Sequence, residues 1–375
     1  MFKPGSTLLR AALATLALVT LTACASTPAA APAATTAPAK PAAAEPTKAA
    51  APAATTAPAA ASFPKMDIKL GHAVTTDTPW HKATARFADL VKERTGGNVN
   101  VQIFPNSQLG SEKDQVEQVK NGIIQMTVSS SGMVSVFEGW GPVGALGMPY
   151  VFKGNSDEEQ YPTFLKVARG PIIKEMADDA AKKSGMRSLD MGWWYGTRNV
   201  TTKSKQVAKP EDIKGIKIRT VDSPIQKLAM QALGAAVTPM PFAELYSALQ
   251  MGVVDGQENP INTIYVQKYY EVQKYISLTA HMTQNELVLI NDKFYQGLSP
   301  ELKSVLEKAA IEAGDFMSQE QLKANKQNLE DLKAKGMVVT PVNLADFAKV
   351  TENAWKEFEP SMGKGFYEKI KAAQN

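Results

Sequence analysis

The chain has little cysteine, little histidine and little net charge. One cysteine among 375 residues excludes an internal disulfide and any four-cysteine zinc cluster, and three histidines leave little for a histidine-built metal site. The 41 Lys and Arg residues exceed the 37 Asp and Glu residues by only +4, too weak an excess to indicate a nucleic-acid-binding face. We therefore expect neither a metal nor another cofactor, and no nucleic-acid partner.

Long hydrophobic runs are also lacking. The single candidate, Ala11 to Thr22, follows Lys3 and Arg10 and is shorter than the roughly 20 residues that span a bilayer. It predicts a signal peptide over residues 1–23. The tetrapeptide that ends in Cys24, Leu-Thr-Ala-Cys, resembles the bacterial lipoprotein signal, which implies that Cys24 becomes the lipidated N-terminus. An ordinary secretory peptide with an incidental cysteine is the alternative.

Residues 24–62 contain the cysteine and then a segment built almost entirely of Ala, Pro and Thr. Nothing in this segment is large and apolar, so it cannot offset its own ordering entropy. We predict a disordered tether that separates a membrane anchor from a globular body beginning near residue 63.

The globular part alternates short apolar runs with longer amphipathic stretches, which is typical of an α/β protein. Strands are predicted at 66–71 and 253–255, and helices from Pro79 to about Thr95, from 344 to about 358, and from Pro300 to about Lys335. The last is unusually long and is expected to lie across two lobes. The predicted architecture is two α/β lobes with chain crossovers and a cleft between them, as in periplasmic binding proteins. Lobe I takes 63–195 plus about 285–320, and lobe II takes about 196–284 plus 321–375.

The sequence contains two patterns that resemble catalytic motifs, but neither has the local structure that its chemistry requires. Gly139 to Gly144 matches the letters of a dinucleotide fingerprint, but Pro142 lies inside it and no helical pattern follows. Asp255 and Glu258 are a close acidic pair, as a hydrolase would need, but their spacing of three fits a structural role better. We expect no enzymatic activity.

Two arginines end predicted strands. Arg198 follows Gly196, which permits a sharp turn, and Arg219 closes the strand Gly215-Ile-Lys-Ile-Arg. In open α/β sheets the carboxyl ends of strands border the ligand crevice. An arginine there offers a planar fork that meets a carboxylate through two parallel hydrogen bonds. A solvated or structural salt bridge is the alternative for either arginine.

The run from Pro239 to Pro260, with Asp255-Gly-Gln-Glu-Asn-Pro260 at its end, closely resembles the DctP-type solute-binding proteins of TRAP transporters. Further landmarks of this resemblance are Gly71-His72, Trp80-His81, Phe104 to Gly110, Leu146 to Phe152, Gly196-Thr-Arg198, Lys214 to Arg219 and Tyr270 to Lys274.

The resemblance implies roles for particular residues. The arginine matching Arg219 pairs with the ligand carboxylate, that matching Arg198 adds a second contact, and Asn259 hydrogen-bonds nearby, although capping a helix that starts at Pro260 is the alternative for Asn259. Phe242 lines the pocket.

The remaining candidate substrate-binding residues are Trp194, Tyr195, His72 and Ser130. Trp194-Tyr195 stands where sialic-acid binders of the family carry Tyr-Asn, which makes sialic acid doubtful and favours a ring-bearing or sugar acid able to stack. A dicarboxylate remains open.

These observations together predict an extracytoplasmic receptor, in the periplasm or at the cell surface and held to the membrane by lipid. It is expected to be a monomer that captures a small organic acid such as a uronate by hinge closure. It would deliver the acid to the small and large permease subunits of a TRAP transporter. A ligand sensor for a signalling partner and, less in keeping with the motifs, a hydrolase are the alternatives.

Overall fold

The computed structural model describes residues 62–375; the predicted signal peptide, Cys24 and nearly all of the predicted tether lie outside the described residues. The strands are β1 (Met66–Gly71), β2 (Val99–Phe104), β3 (Met126–Ser130), β4 (Met186–Ser188), β5 (Trp193–Thr197), β6 (Asn199–Thr202), β7 (Lys217–Thr220), β8 (Ala236–Pro239), β9 (Gly256–Asn259), β10 (Tyr275–Ser277), β11 (Thr283–Asn291) and β12 (Val338–Thr340).

Helices surround these strands, and short 3₁₀ turns cover Gly141–Gly147, Pro210–Ile213, Phe242–Glu244 and Tyr269–Glu271. The α-helices are α1 (Pro79–Arg94), α2 (Glu112–Lys120), α3 (Ser131–Val134), α4 (Asp157–Ala168), α5 (Pro171–Ser184), α6 (Pro224–Ala232), α7 (Leu245–Met251), α8 (Ile261–Val266), α9 (Asp292–Gln296), α10 (Pro300–Ala334), α11 (Leu344–Thr351), α12 (Trp355–Met362) and α13 (Phe366–Ala372).

Side-chain caps fix where the helices near the site begin. Thr78 accepts from the backbone N–H of His81, and Pro79 occupies the first helical position of α1, where its missing N–H costs nothing. Ser111 and Asp114 form a reciprocal capping box at the start of α2. That box places Glu112 in the first turn of α2, facing the end of β3.

Two six-stranded sheets define the two lobes. The first lobe holds the sheet with strand order β2-β1-β3-β11-β4, in which β5 also pairs with β11. The second lobe holds the sheet with order β12-β10-β6-β9-β7-β8. The chain passes from the first sheet to the second at Arg198, between β5 and β6, and returns between β10 and β11. The predicted two-lobed α/β fold is therefore confirmed.

The long helix α10 contacts both lobes, as predicted. It packs on α1 and β5 of the first lobe and on α8 of the second. Gly314 lets it approach closely, because a Cβ at this position would stand 2.4 Å from an indole carbon of Trp193. Asn325, further along, binds the backbone N–H of Asn262 at 2.8 Å.

Three boundaries differ from the prediction. Residues 253–255 are not a strand; β9 begins at Gly256 instead, because Gly252 in the left-handed region turns the chain before pairing starts. The helix expected over 344–358 divides into α11 and α12. The last two helices, α12 and α13, pack against Gly141–Gly147 of the first lobe, although 321–375 was assigned as a whole to the second.

The lobes touch one another in the described conformation. Ser223, before α6, donates to the carbonyl oxygen of Gly132 at 3.0 Å, and Gln267 donates to Thr75 at 3.0 Å. Among residues 62–375, no helix combines the length and the apolar composition needed to cross a bilayer.

Candidate functional site

Two adjoining cavities lie between the sheets and share Glu112, Val221 and Phe242 in their walls. The outer cavity has a volume of about 280 Å³. The inner one, about 20 Å³, has room for roughly one water molecule. A ligand of several carbon atoms therefore reaches the inner groups only if the lobes move apart from this closed arrangement. The inner wall includes Trp80, Glu112, Ser130, Tyr195, Arg198, Gln226, Phe242, Asn259 and Gln284.

Arg198 is buried in the hinge and already carries an anionic partner. Its guanidinium donates to both carboxylate oxygens of Glu258, one of them at 2.9 Å, and to Asn259 Oδ1 at 3.0 Å. It also donates to Gln284 Oε1. Burial by itself would lower the pKa of Arg198, but the charge of Glu258 and its hydrogen bonds raise it. Arg198 is thus an ionised group whose charge is balanced within the protein.

His281 supports this pair from the far side of Glu258. Its Nε2 lies 3.3 Å from Glu258 Oε2, and its Nδ1 lies 2.9 Å from the Thr279 hydroxyl. Burial lowers the pKa of His281 below its ordinary value, so the ring is neutral near pH 7. A neutral ring that donates from Nε2 and accepts at Nδ1 satisfies both contacts.

Arg219 is equally buried but has no anionic partner among the described residues. Nε and Nη2 donate to the carbonyl oxygen of Met240 at 3.1 and 2.7 Å, whereas Nη1 has no hydrogen-bond partner in the described part of the chain. The guanidinium carbon lies 6.0 Å from the centroid of Phe242, which lines both cavities. Burial lowers the pKa of Arg219 to about 10, so it stays charged at neutral pH.

Glu112 contributes a carboxylate to both cavities. Its Oε1 accepts from the Ser129 hydroxyl at 2.8 Å, and from the backbone N–H and hydroxyl of Ser130 at 2.7 Å each. No hydrogen bond from a described residue reaches Oε2. The first lobe therefore presents a fixed acceptor opposite the arginines of the second.

A second carboxyl group lies buried beside Glu112. Glu286 Oε1 accepts from Gln284 at 2.6 Å, and Oε2 has no hydrogen-bond partner among the described residues. Burial, and then the charge of Glu112, raise the pKa of Glu286 well above its ordinary value. These effects favour the protonated form of Glu286, which accepts from Gln284, the residue that in turn accepts from Arg198.

The aromatic strand β5 divides its side chains between two surfaces. Tyr195 lines the inner cavity, packs edge-on against Trp80 at 5.5 Å and accepts from Thr263 at 2.6 Å. Trp194 points to the opposite face, where it packs on Phe164 at 4.9 Å. Alternation along the strand separates the two rings. Trp194 is therefore a core residue. The sequence predicts it at the ligand, but the structure places it away from both cavities.

The other sequence-predicted residues are placed as follows. Asn259 lines the inner cavity and does not cap α8, whose cap position is Pro260. Ser130 lines the inner cavity, but its hydroxyl donates to Glu112 Oε1. His72 lies behind the wall, with its Nε2 3.0 Å from His81 Nδ1. The expected contact between His72 and a ligand is thus replaced by a contact between two rings.

Sequence reasoning overlooked Trp80, Glu112, Gln226, Gln284 and Glu286 as cavity or supporting groups. Glu112 resembles an ordinary acidic residue in a first helical turn, which the helix dipole favours anyway. Gln284 and Glu286 did leave a signal, because they belong to the polar run Thr283-Gln-Asn-Glu286 that begins β11, a strand whose nine residues are all buried. Buried polar side chains need hydrogen-bond partners, and those of Gln284 and Glu286 are at the site.

Within residues 62–375, no group of three or more His, Cys, Asp or Glu side chains is arranged to hold a metal ion.

Comparison with known proteins identifies the family of this chain. Residues 70–361 match the family described as "Bacterial extracellular solute-binding protein, family 7". The chain is 32% identical over 295 residues to the 2,3-diketo-L-gulonate-binding periplasmic protein of Escherichia coli (strain K12), covering 78% of this chain and 87% of that one. It is 33% identical over 274 residues to the C4-dicarboxylate-binding periplasmic protein of Rhodobacter capsulatus, covering 72% of this chain and 78% of that one.

A solved structure shares the fold. The TRAP periplasmic solute-binding protein of Actinobacillus succinogenes 130z, with bound L-galactonate, superposes with a TM-score of 0.77 at 28% identity, covering 82% of this chain and 99% of that chain. The chain therefore belongs to the bacterial extracellular solute-binding proteins of family 7, the DctP-type solute-binding proteins of TRAP transporters.

Proposed function

We propose that this protein captures a small organic acid between its lobes, with the ligand carboxylate on Arg219. The observation that carries the proposal is the state of Arg219, a fully buried cation without an ion pair among the described residues and with Nη1 unpartnered. A buried charge of this kind is costly unless something neutralises it. A ligand carboxylate supplies the missing charge and a hydrogen-bond acceptor together.

In this proposal Arg198 positions neighbouring side chains, Asn259 among them, and is not the main carboxylate-binding group. Because Glu258 balances the charge of Arg198, this arginine holds Asn259 and Gln284 in place at the cavity wall more than it attracts an anion. The net attraction for a carboxylate then comes from Arg219. Glu112, on the facing lobe, favours a ligand that carries its negative charge at one end only.

Closure of the lobes follows from the position of these groups. Arg219 and Phe242 belong to the second lobe, whereas Glu112, Ser130 and Tyr195 belong to the first. A ligand that enters while the lobes are apart contacts both sets only when the lobes close on it, so binding favours closure around the ligand.

Relatives whose names state what they bind support the choice of a class of acid. They include a diketo-gulonate binder, a C4-dicarboxylate binder and a protein with bound L-galactonate. We propose that a sugar acid is delivered to a TRAP permease with a small and a large membrane subunit. We further propose that the protein works as a monomer without enzymatic activity, tethered by a lipid on Cys24, which lies outside the described residues.

A thermal-shift and calorimetry panel tests the proposal. Galactonate, galacturonate, succinate and orotate are titrated into the purified protein, and a specific ligand raises the unfolding midpoint by mass action. Arg219→Lys should weaken binding of the best acid by about 100-fold, since lysine cannot supply two parallel hydrogen bonds. Unchanged affinity in Arg219→Lys, or no binding of any acid by the wild-type protein, would contradict it.

A further inference from the structure

The inner cavity carries polar atoms of opposite kinds that the protein leaves without partners. Trp80 Nε1 and Gln226 Oε1 both belong to side chains in the cavity wall, 3% and 2% exposed, and neither atom has a hydrogen-bond partner among the described residues. Trp80 lies on α1 of the first lobe and Gln226 on α6 of the second. Buried polar atoms in native proteins are almost always hydrogen-bonded, and these two differ from other unpartnered atoms in belonging to a cavity wall, where a ligand can supply the partner.

The two unpartnered atoms require different hydrogen-bond partners. An indole N–H can only donate, and the oxygen of an amide can only accept. Glu112, in the same wall, adds a carboxylate whose Oε2 receives no hydrogen bond from the described residues. Besides the arginine that takes the carboxylate, these three side chains therefore offer a ligand the indole donor of Trp80 and the acceptors of Gln226 and Glu112, and the amide nitrogen of Gln226 can donate as well.

A hydroxyl group is the ligand group that fits both demands, because it donates one hydrogen bond and accepts others. A second carboxylate only accepts, so it would leave Gln226 Oε1 without a partner and would face Glu112 with a like charge. An unsubstituted alkyl chain would leave all of these atoms unpaired. Sites built to bind a hydroxyl reject analogues that lack it, since their own polar groups then stay buried and unsatisfied.

Resting on the carboxylate site at Arg219, we propose that Trp80 and Gln226 are specificity-determining residues that bind hydroxyl groups of the ligand from opposite lobes. The ligand class is then a polyhydroxylated monocarboxylate, and dicarboxylates are disfavoured. Trp80 is held for this role by its edge-on contact with Tyr195 at 5.5 Å. Gln226 is held against Gly132, where a Cβ would stand 2.8 Å from its Oε1.

Calorimetry with galactonate, and with galacturonate as a second probe, tests the proposal. Trp80→Phe removes the indole N–H and keeps an aromatic ring against Tyr195, and Gln226→Leu removes the amide at nearly constant size. Each should weaken binding of the better probe by about tenfold, the cost of one hydrogen bond to a group left unpaired. The wild-type protein should bind hexanoate, which has the same chain length without hydroxyls, at least about 100-fold more weakly than galactonate.

Trp194→Phe is the matched control. Trp194 also has a buried Nε1 without a partner among the described residues, but it lies on the far face of β5, away from both cavities. Its substitution should leave affinity for galactonate unchanged. A loss of affinity in Trp194→Phe equal to that in Trp80→Phe would show a general effect of losing an indole and would overturn the assignment.

The outcomes separate this inference from the proposed function. If the wild-type protein binds succinate or hexanoate as tightly as the hydroxy acids, or if Trp80→Phe and Gln226→Leu both bind galactonate normally, the inference is wrong while carboxylate binding at Arg219 stands. If no acid binds at all, the proposed function itself fails. Should Trp80→Phe not fold, Gln226→Leu alone decides the matter, provided that its unfolding midpoint shows it to be folded.

Discussion

Arg198 donates to both carboxylate oxygens of Glu258, and the two side chains are 2% and 0% exposed. Arg219, 0% exposed, has no such partner among the described residues. The charge of the first arginine is therefore neutralised inside the protein, whereas no described residue neutralises the charge of the second.

Arg198→Met should destabilise the protein strongly. It leaves the carboxylate of Glu258 buried with only a neutral imidazole beside it, and removing one partner of a buried pair costs about 3–5 kcal/mol. Urea unfolding of wild type and variant measures this difference. The double variant Arg198→Met with Glu258→Gln should regain part of the loss, and a double variant no more stable than Arg198→Met would contradict the pairing argument.

Arg219→Met should have the opposite effect on stability. It removes a buried charge that is unpaired among the described residues, so the ligand-free protein should gain about 1–3 kcal/mol while losing carboxylate binding. Thermal unfolding with and without galactonate measures both quantities. A destabilised Arg219→Met protein would show that Arg219 is a structural residue whose hydrogen bonds to Met240 matter more than its charge.

Glu286→Gln should change how stability depends on pH. Because burial raises the pKa of Glu286 above 4.5, the folded protein keeps a proton that the unfolded chain releases above that pH. The unfolding free energy therefore falls as pH rises from 4.5 toward the folded pKa, by about 1.4 kcal/mol per pH unit. Glutamine cannot ionise, so the variant should match wild type at pH 4 and exceed it at pH 7.5. Parallel pH profiles for the two proteins would argue against a neutral Glu286.

Gly132→Ala should weaken binding by displacing two side chains of the second lobe. A Cβ at Gly132 would stand 2.8 Å from Gln226 Oε1 and 2.9 Å from the Ser223 hydroxyl, so both side chains must move and the contact between Ser223 and the Gly132 carbonyl oxygen is disturbed. Weakening this contact between the lobes lowers the closed fraction and with it the apparent affinity, and we expect about a tenfold loss. Calorimetry with galactonate measures it. Gly297→Ala, where the nearest atom is at an ordinary 3.4 Å, is the control and should behave as wild type.

Cys24→Ala should abolish membrane association in cells. The sequence before Cys24 predicts that its thiol carries the lipid, and the tether has nothing else that would bind a bilayer. Fractionation followed by immunoblotting measures the distribution. Continued recovery of the variant with the membranes would favour an anchor other than a lipid on this residue.

Much of the fold could be read from local sequence, because its signals are local. Pro79 begins a helix at the predicted residue, and the stretch from Pro300 forms one long helix as expected. The boundaries that moved, β9 and the break between α11 and α12, depend on which strand or helix lies alongside. Strand pairing and packing over long distances in sequence have no local signature.

The candidate site was foreseen only in part. Strand ends and family resemblance located Arg198, Arg219, Asn259 and Phe242 near one cleft, but could not say which arginine is already paired. Which arginine is paired depends on the position of Glu258 on β9, the strand that pairs with β6 just after Arg198. The family position of Trp194-Tyr195 predicts both rings at the ligand, but a strand has two faces, and packing on Phe164 places Trp194 in the core.

Helix caps, strand periodicity and the motif from Pro239 to Pro260 act over short stretches of chain, so the class of fold and the family could be read from the residues alone. The chemistry of the cleft could not, because burial and hydrogen-bond partners come from residues far apart in sequence. Folding leaves Arg219 without an ion pair among the described residues, raises the pKa of Glu286 and brings the unpartnered atoms of Trp80 and Gln226 to one cavity.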